Sequence, residues 1–302
     1  MAADGHRSLI DSRVVSRLMA QPLYARHAME GSVSGLHKSP HRGSSVEFAE
    51  YRQYVPGDDL RRLDWRVLAR TDRYYLKEFE AETNLRAYFA LDLSGSMLFS
   101  SGEKTKLEYA QKLLATLAYL VIRQGDAAGM LGIGTETVLD LPPRRNPSHL
   151  QLLLDSIPTL KSGGQTGLVE GLHELAERTR RRALVVIFSD CFCDIGKLMD
   201  SLQHLCFEHH DVVLFHVLDP QELSFKFDRP LRFVDLEGPT SLVTEPSVIR
   251  EEYLKHFRQF LETVQKGCRE FGVDYRRVLT TDDYEKALAD FLIERSRVGS
   301  PT

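Results

Sequence analysis

The chain has 302 residues, 42% of them hydrophobic and 27% charged, which suits one large domain with an appendage and a sizeable core. Its formal net charge of −4 supplies no global electrostatic drive toward nucleic acid. The longest apolar stretch, Leu113 to Ile122, falls short of the ~20 residues of a membrane span, and the early charges Asp4, His6, Arg7, Asp11 and Arg13 leave no apolar region of signal-peptide type, so a cytoplasmic protein is expected.

Residues 1 to 30 read as one or two short helices, with Ile10, Val14, Val15 and Leu18 on one face. The stretch from Gly31 to Ser45 is rich in Gly, Ser and His and reads as an irregular loop. Pro56-Gly57 signals a turn, after which Asp58 or Asp59 caps a short helix carrying Leu60, Leu63 and Val67. Arg61, Arg62, Arg66, Arg70 and Arg73 offer a surface for an acidic or phosphate-bearing partner. Interleaved Asp58, Asp59, Asp64 and Asp72 make internal pairing the better reading, with Trp65 as a packing anchor. Tyr74 to Ala81 has strand character.

From residue 87 the pattern changes to alternating strands and helices, which argues for a mainly parallel sheet covered on both faces. The run Ala87 to Leu91 is a buried strand that opens into Asp92-Leu93-Ser94-Gly95-Ser96-Met97. A helix follows over Lys104 to Arg123, with Leu107, Leu114, Leu117, Leu120 and Val121 on its apolar side. Next come a strand over Asp126 to Gly134, an edge strand over Thr137 to Leu141 and a helix over His149 to Ile157. A Gly-rich loop leads to Thr166, which reads as the cap of a helix bearing Leu168, Leu172 and Leu175. The apolar run Ala183 to Ser189 ends at Asp190. Beyond it lie a helix over Ile195 to Phe207, a strand over Val212 to Leu218, and a hairpin of Leu231 to Leu236 with Ser241 to Thr244. A long helix from Val248 to Phe271, a strand from Val273 to Leu279, and a final helix capped by Asp282 or Asp283 complete the chain. The domain division is an N-terminal helical and β-hairpin extension, 1–85, and an α/β domain, 86–302.

Asp92, Ser94, Ser96, Thr166 and Asp190 each sit where a strand or loop delivers an oxygen to one sheet edge. An Asp at a strand end or a Thr at a helix start is ordinary by itself; the ordered set is not. Hard divalent cations, Mg²⁺ first and Mn²⁺ or Ca²⁺ as alternatives, take such oxygen ligands. The set resembles the metal-ion-dependent adhesion site of von Willebrand factor A-type domains, with Asp-x-Ser-x-Ser at Asp92, Ser94 and Ser96, then Thr166, then Asp190. The resemblance implies a doubly wound A-type fold, an ion held partly through water, and a partner's Asp or Glu completing the coordination.

A second resemblance covers nearly the whole chain. Arg42, Gly43, Glu47 and Phe48, then Tyr54 to Asp59, then Asp64 to Arg66, resemble the signature elements of the family called domain of unknown function 58, and the match runs on through Ala69 to Asp72, Lys77, Phe79 and Glu80. This implies association with a MoxR-type AAA+ ATPase, for which A-type partners serve as adaptors in chaperone-like maturation of clients. Many members carry membrane helices near the N-terminus; this chain has no such segment there, so anchoring is not carried over.

Other chemistries fit less well. Cys191 and Cys193, with Cys206, His204, His209 and His210 downstream, lack the spacing of a zinc site and read as reduced thiols. A haloacid-dehalogenase phosphatase wants a second Asp where Ser94 stands, the Gly-x-Ser-x-Gly elbow is missing, and Gly102 to Thr105 breaks the P-loop pattern. Metal-assisted hydrolysis needs a general base, for which His41, His149 and His173 are the candidates. The cations Arg178 to Arg182 read as a solvated helix end. The expectation is a non-enzymatic, metal-dependent interaction module. The alternatives are a metal-dependent hydrolase and a metal-independent self-assembling protein.

Overall fold

The computed structural model describes residues 9–26, 37–38, 47–53, 67, 70, 74–80, 82–83, 85–227, 229 and 231–299. The turn at Pro56-Gly57, the capping Asp58 and Asp59, Trp65, four of the arginines (Arg61, Arg62, Arg66 and Arg73) and His41 lie outside the described residues, as does most of the loop from Gly31 to Ser45.

The described residues form two compact units: one made by the stretch up to Arg26 together with Arg86 onward, the other within His27–Leu85. The smaller unit holds two antiparallel ribbons. Strand β1 (His37–Lys38) pairs with β4 (Glu82–Thr83), and β2 (Glu47–Gln53) pairs with β3 (Tyr75–Glu80). The strand expected at Tyr74 to Ala81 is therefore present. Its partner β2 escapes the sequence pattern because a register shift between Phe48 and Glu50 breaks the period of two.

The larger unit carries helix α1 (Ser12–Leu18) and a six-stranded sheet of β5 (Arg86–Asp92), β6 (Ala127–Ile133), β7 (Thr137–Arg144), β8 (Leu184–Ser189), β9 (Asp211–Leu218) and β12 (Asp274–Leu279). The spatial order is β12-β9-β8-β5-β6-β7, parallel throughout except for antiparallel β7 at one edge. The expected fold class, a doubly wound and mainly parallel α/β sheet, is the observed one. Central β5, β6, β8 and β9 are buried along their whole length apart from Arg86 at the start of β5, which explains why they read as continuous apolar runs. Edge strand β7 alternates between half-buried and exposed as far as Pro142, buries Pro143, and runs three residues past its expected end; Pro142 and Pro143 are tolerated there because an edge strand has one unpaired side.

Helix α2 (Lys106–Arg123) starts at Lys106, since Thr105 and Glu108 form a reciprocal capping box. Asn146 caps α3 (Pro147–Ser156). Helices α4 (Leu168–Arg178) and α5 (Ile195–Phe207) cover one face, packing Leu168, Leu172, Leu175, Leu198, Leu202 and Leu205 on Tyr88, Ala90, Ile133, Val185, Ile187 and Leu214. Val264 and Cys268 of α7 (Pro246–Glu270) join them. Helices α1, α2 and α8 (Tyr284–Gly299) pack together elsewhere in the unit, with α2 on the sheet. A short helix α6 (Pro220–Ser224), which the sequence pattern does not reveal, precedes the hairpin of β10 (Leu231–Val234) and β11 (Ser241–Thr244).

The described part of the first 26 residues belongs to the α/β unit. Val14, Val15, Leu18 and Leu23 are buried, and Leu23 exchanges two hydrogen bonds with Gln124 at the end of α2. Arg26 adds a bond from its backbone N–H to Asp211 (2.7 Å) and an ion pair to Asp274 (3.0 Å). Among the described residues, no helix is long and apolar enough to cross a membrane.

Candidate metal centre

Connections leaving the adjacent strands β5 and β8 lead to α2 and α5, which lie on opposite faces of a doubly wound sheet. A crevice forms between the carboxyl ends of two strands at such a point. Asp92 ends β5 there, and Asp190 follows β8.

Asp92 is 1% exposed. Its Oδ1 accepts the Ser94 N–H at 2.9 Å and its Oδ2 accepts the Ser189 hydroxyl at 2.5 Å. The loop then turns through a short 3₁₀ segment, Gly95–Leu98, which leaves the Ser94 and Ser96 hydroxyls 3.0 Å apart. Three of the five expected residues are thus linked by direct or one-step hydrogen bonds. Asp190, fully buried, accepts the Phe192 N–H on Oδ1 (3.1 Å) and the Lys106 ammonium on Oδ2 (2.6 Å). Burial, helped by the negative charge of Asp190, raises the Asp92 carboxyl to about 7.

The Gly-rich loop docks on this turn through its backbone. Gly163 N–H donates to Leu93 O (2.9 Å), Gly95 N–H donates to Gly164 O (2.9 Å), and the Ser162 hydroxyl donates to Ser94 O. Thr166 arrives half-buried on this loop, but it is not the helix cap the sequence suggests. Gly167 holds that place, where a side chain would meet Thr135 O at 2.5 Å. The Thr166 hydroxyl oxygen accepts the Leu168 N–H at 3.2 Å and keeps a second lone pair.

Several groups at this edge escape sequence reasoning. Lys106 is completely buried, 2.6 Å from Asp190 and 2.5 Å from Glu222, with its ammonium 4.7 Å from the Phe192 ring centre. Burial opposes its charge, yet Asp190 and Glu222 together hold its pKa above the ordinary lysine value. His216 supports Asp190 from behind: its Nε2–H donates to Asp190 O (2.8 Å) while its Nδ1 accepts the Tyr275 hydroxyl (2.9 Å). That neutral tautomer agrees with a pKa lowered by burial to about 4. Ser189 was visible as a hydroxyl ahead of Asp190. Lys106 and Glu222 carry no local signal, since each sits in the first turn of a helix, where charge is ordinary.

The donor set suits a hard divalent cation. Asp92, Asp190 and Glu222 bring three carboxylates against one ammonium, a deficit of two charges when all are ionised. Among the described residues, no three His, Cys, Asp or Glu side chains stand close enough to hold an ion by themselves, so a cation here would need hydroxyl oxygens as well. The neighbouring thiols stay protonated: burial pushes Cys191 well above its usual value and Cys193 to about 12. Of the candidate bases, His149 bonds Ala128 O (3.0 Å) at the start of β6, five residues and roughly 16 Å from the carboxyl edge. His173 is paired with His204, their Nδ1 atoms 3.0 Å apart.

A family model described as "Protein of unknown function DUF58" matches residues 50–262. The chain is 26% identical over 293 residues to the uncharacterised protein Rv1480 of Mycobacterium tuberculosis (strain ATCC 25618 / H37Rv), covering 95% of this chain and 91% of that one. It is 29% identical over 197 residues to the uncharacterised protein YeaD of Bacillus subtilis (strain 168), covering 62% of this chain and 45% of YeaD. Among solved structures it is similar to the conserved hypothetical protein BatB from Bacteroides thetaiotaomicron, with 18% identity, a TM-score of 0.48, and coverage of 71% of this chain and 100% of that one. The SpRpn10 VWA domain matches at 12% identity and a TM-score of 0.37, covering 72% and 98%.

Proposed function

This chain belongs to the DUF58 family of proteins of unknown function, and we propose that it is a non-enzymatic protein-interaction module whose von Willebrand factor A-like unit binds a partner's carboxylate through a divalent cation. The observation that carries the reading is the meeting of Asp92, Ser94, Ser96 and Asp190 at the switch point between β5 and β8, where the carboxyl groups of Asp92, Asp190 and Glu222 outnumber the Lys106 ammonium that pairs with two of them. Mg²⁺ suits that set, with Mn²⁺ or Ca²⁺ as substitutes; Asp92 and the Ser94, Ser96 and Thr166 hydroxyls hold it, with Asp190 acting directly or through water. Bound there, the ion supplies an electrophilic centre that attracts one further carboxylate.

In this reading the partner is a MoxR-type AAA+ ATPase, a client protein, or both, and the module is an adaptor. The chain's own residues do the positioning: Ser189 and the Ser94 N–H aim the Asp92 carboxylate, and Lys106 with the Phe192 N–H fix Asp190. Of the candidate bases for hydrolysis at the same centre, His149 and His173 are engaged elsewhere.

The test is affinity purification from native lysate with wild type in Mg²⁺, wild type in EDTA, and Asp92→Ala. A AAA+ ATPase or client retained only in the first sample supports the reading. Loss of this central contact weakens association by at least ~2 kcal/mol, about 30-fold. Equal recovery in all three samples refutes it.

A further inference from the structure

The hairpin after α6 is held at its base by aromatic packing. Phe233 of β10 stacks on Phe225 (centroids 5.6 Å apart), Phe227 meets Phe233 edge-on, and Tyr253 of α7 stacks on Phe225 at 4.2 Å. This brings the tip, residues 235–240, onto the Asp92 loop. A side chain at Gly95 would lie 2.0 Å from Leu236 O, so the tip and the turn approach as closely as two backbones can, and only glycine permits it. Together they enclose a cleft of about 320 Å³, with Ser96, Lys106, Phe192 and Glu222 on one wall and residues 234–237 on the other.

The two carboxylates of the tip have different roles. Asp235 is used by the turn itself, accepting the Glu237 N–H at 2.8 Å and the Thr240 hydroxyl at 3.2 Å. Glu237 has one oxygen, Oε1, that is buried and has no hydrogen-bond partner. A buried carboxylate oxygen is costly to leave unsatisfied. Lys106, the ammonium of the same cleft, is already committed to Asp190 and Glu222.

We propose that Glu237 is the chain's own carboxylate ligand for the cation at the Asp92 site, so that the β10–β11 hairpin occupies the position a partner's Asp or Glu must take. This rests on the metal-dependent reading above and adds a regulatory consequence. A ligand tethered in cis acts at a high effective concentration, so a partner binds only by displacing the hairpin tip. Leu236, Leu242 and Val243, exposed on the hairpin, are carried with it.

The experiment is calorimetric titration of the full chain with Mg²⁺ together with hydrogen exchange of residues 231–244, using wild type, Glu237→Gln, Glu237→Asp, Asp92→Asn and, as a control, Glu251→Gln on the exposed side of α7. The expected result is that Mg²⁺ slows exchange across the hairpin in wild type and not in Glu237→Gln. Mg²⁺ affinity falls at least ~10-fold in Glu237→Gln, by an intermediate factor in Glu237→Asp, and not at all in Glu251→Gln. Wild-type urea midpoints without metal confirm that the Glu237 variants are folded. If Glu237→Gln binds Mg²⁺ as tightly as wild type and the hairpin ignores the metal, the inference falls while the Asp92 site stands. If wild type binds Mg²⁺ no better than Asp92→Asn, the site reading falls and takes the inference with it.

Discussion

Lys106→Met removes the only ammonium within 2.6 Å of Asp190 among the described residues while keeping most of the apolar stem. The stem's burial is largely retained, so the cost comes from charge. Two carboxylates, Asp190 and Glu222, lose contacts of 2.6 and 2.5 Å in a place where Lys106 is fully buried and Asp190 is 0% exposed. Removing one partner of a buried ion pair costs about 3–5 kcal/mol, because the other charge is left uncompensated. For a unit of this size that is a fall of roughly 10 °C in Tm. Urea unfolding of the metal-free protein measures it. In the Glu222→Gln background the same change costs less, because one stranded charge has been removed, and the double-mutant cycle reports the coupling. Mg²⁺ restores more stability to Lys106→Met than to wild type, since a cation beside Asp190 replaces part of the lost charge. A loss under about 1 kcal/mol, or costs that simply add across the cycle, would refute the view that Lys106 neutralises this edge.

His216 makes the fold acid-sensitive. Its folded pKa, about 4, lies below the ordinary 6.5, so its contribution is intact above pH 6.5 and is lost as pH falls toward 4. At pH 5 the loss is about 2 kcal/mol, seen as a drop in urea midpoint that His216→Gln does not share. Gly129→Ala destabilises by about 1–3 kcal/mol, because its new methyl would lie 2.5 Å from the Leu141 carbonyl across the β6–β7 pair. Gly267→Ala costs less, since what it meets is the flexible Met199 side chain; equal melting shifts for the two glycine variants would contradict this. Leu23→Ala lowers stability of the α/β unit by about 2–5 kcal/mol in chemical denaturation; no change would mean that the segment before Arg26 contributes nothing to that core.

Where the five oxygen-bearing residues fall relative to the strands and loops was legible, because each lies next to a short-range pattern. Asp92 and Asp190 terminate apolar runs that can only be buried strands, and Ser94 and Ser96 follow at alternate positions. Thr166 was legible as a loop residue but not in its detail. Gly167 takes the cap because the neighbouring backbone leaves no room for a side chain, a constraint imposed from residues 134 and 135. The strand β2 was missed for a similar reason, its period being broken by an irregularity that only pairing reveals.

What the sequence by itself determined, then, is whatever depends on local periodicity and punctuation: the order of strands and helices, the continuous apolar runs of a doubly covered parallel sheet, and the loops at which oxygens emerge. Only the tertiary structure decided which charges are buried together. Lys106 reaches Asp190 across 84 positions and Glu222 across 116, from a helix start where a lysine would read as solvated. The docking of Leu23 and Arg26 on the α/β unit, and of the Leu236–Glu237 tip on Gly95, likewise joins segments that no periodicity connects. Burial of a charge depends on every element packed around it, and that neighbourhood exists only once the sheet order has brought distant segments to one edge.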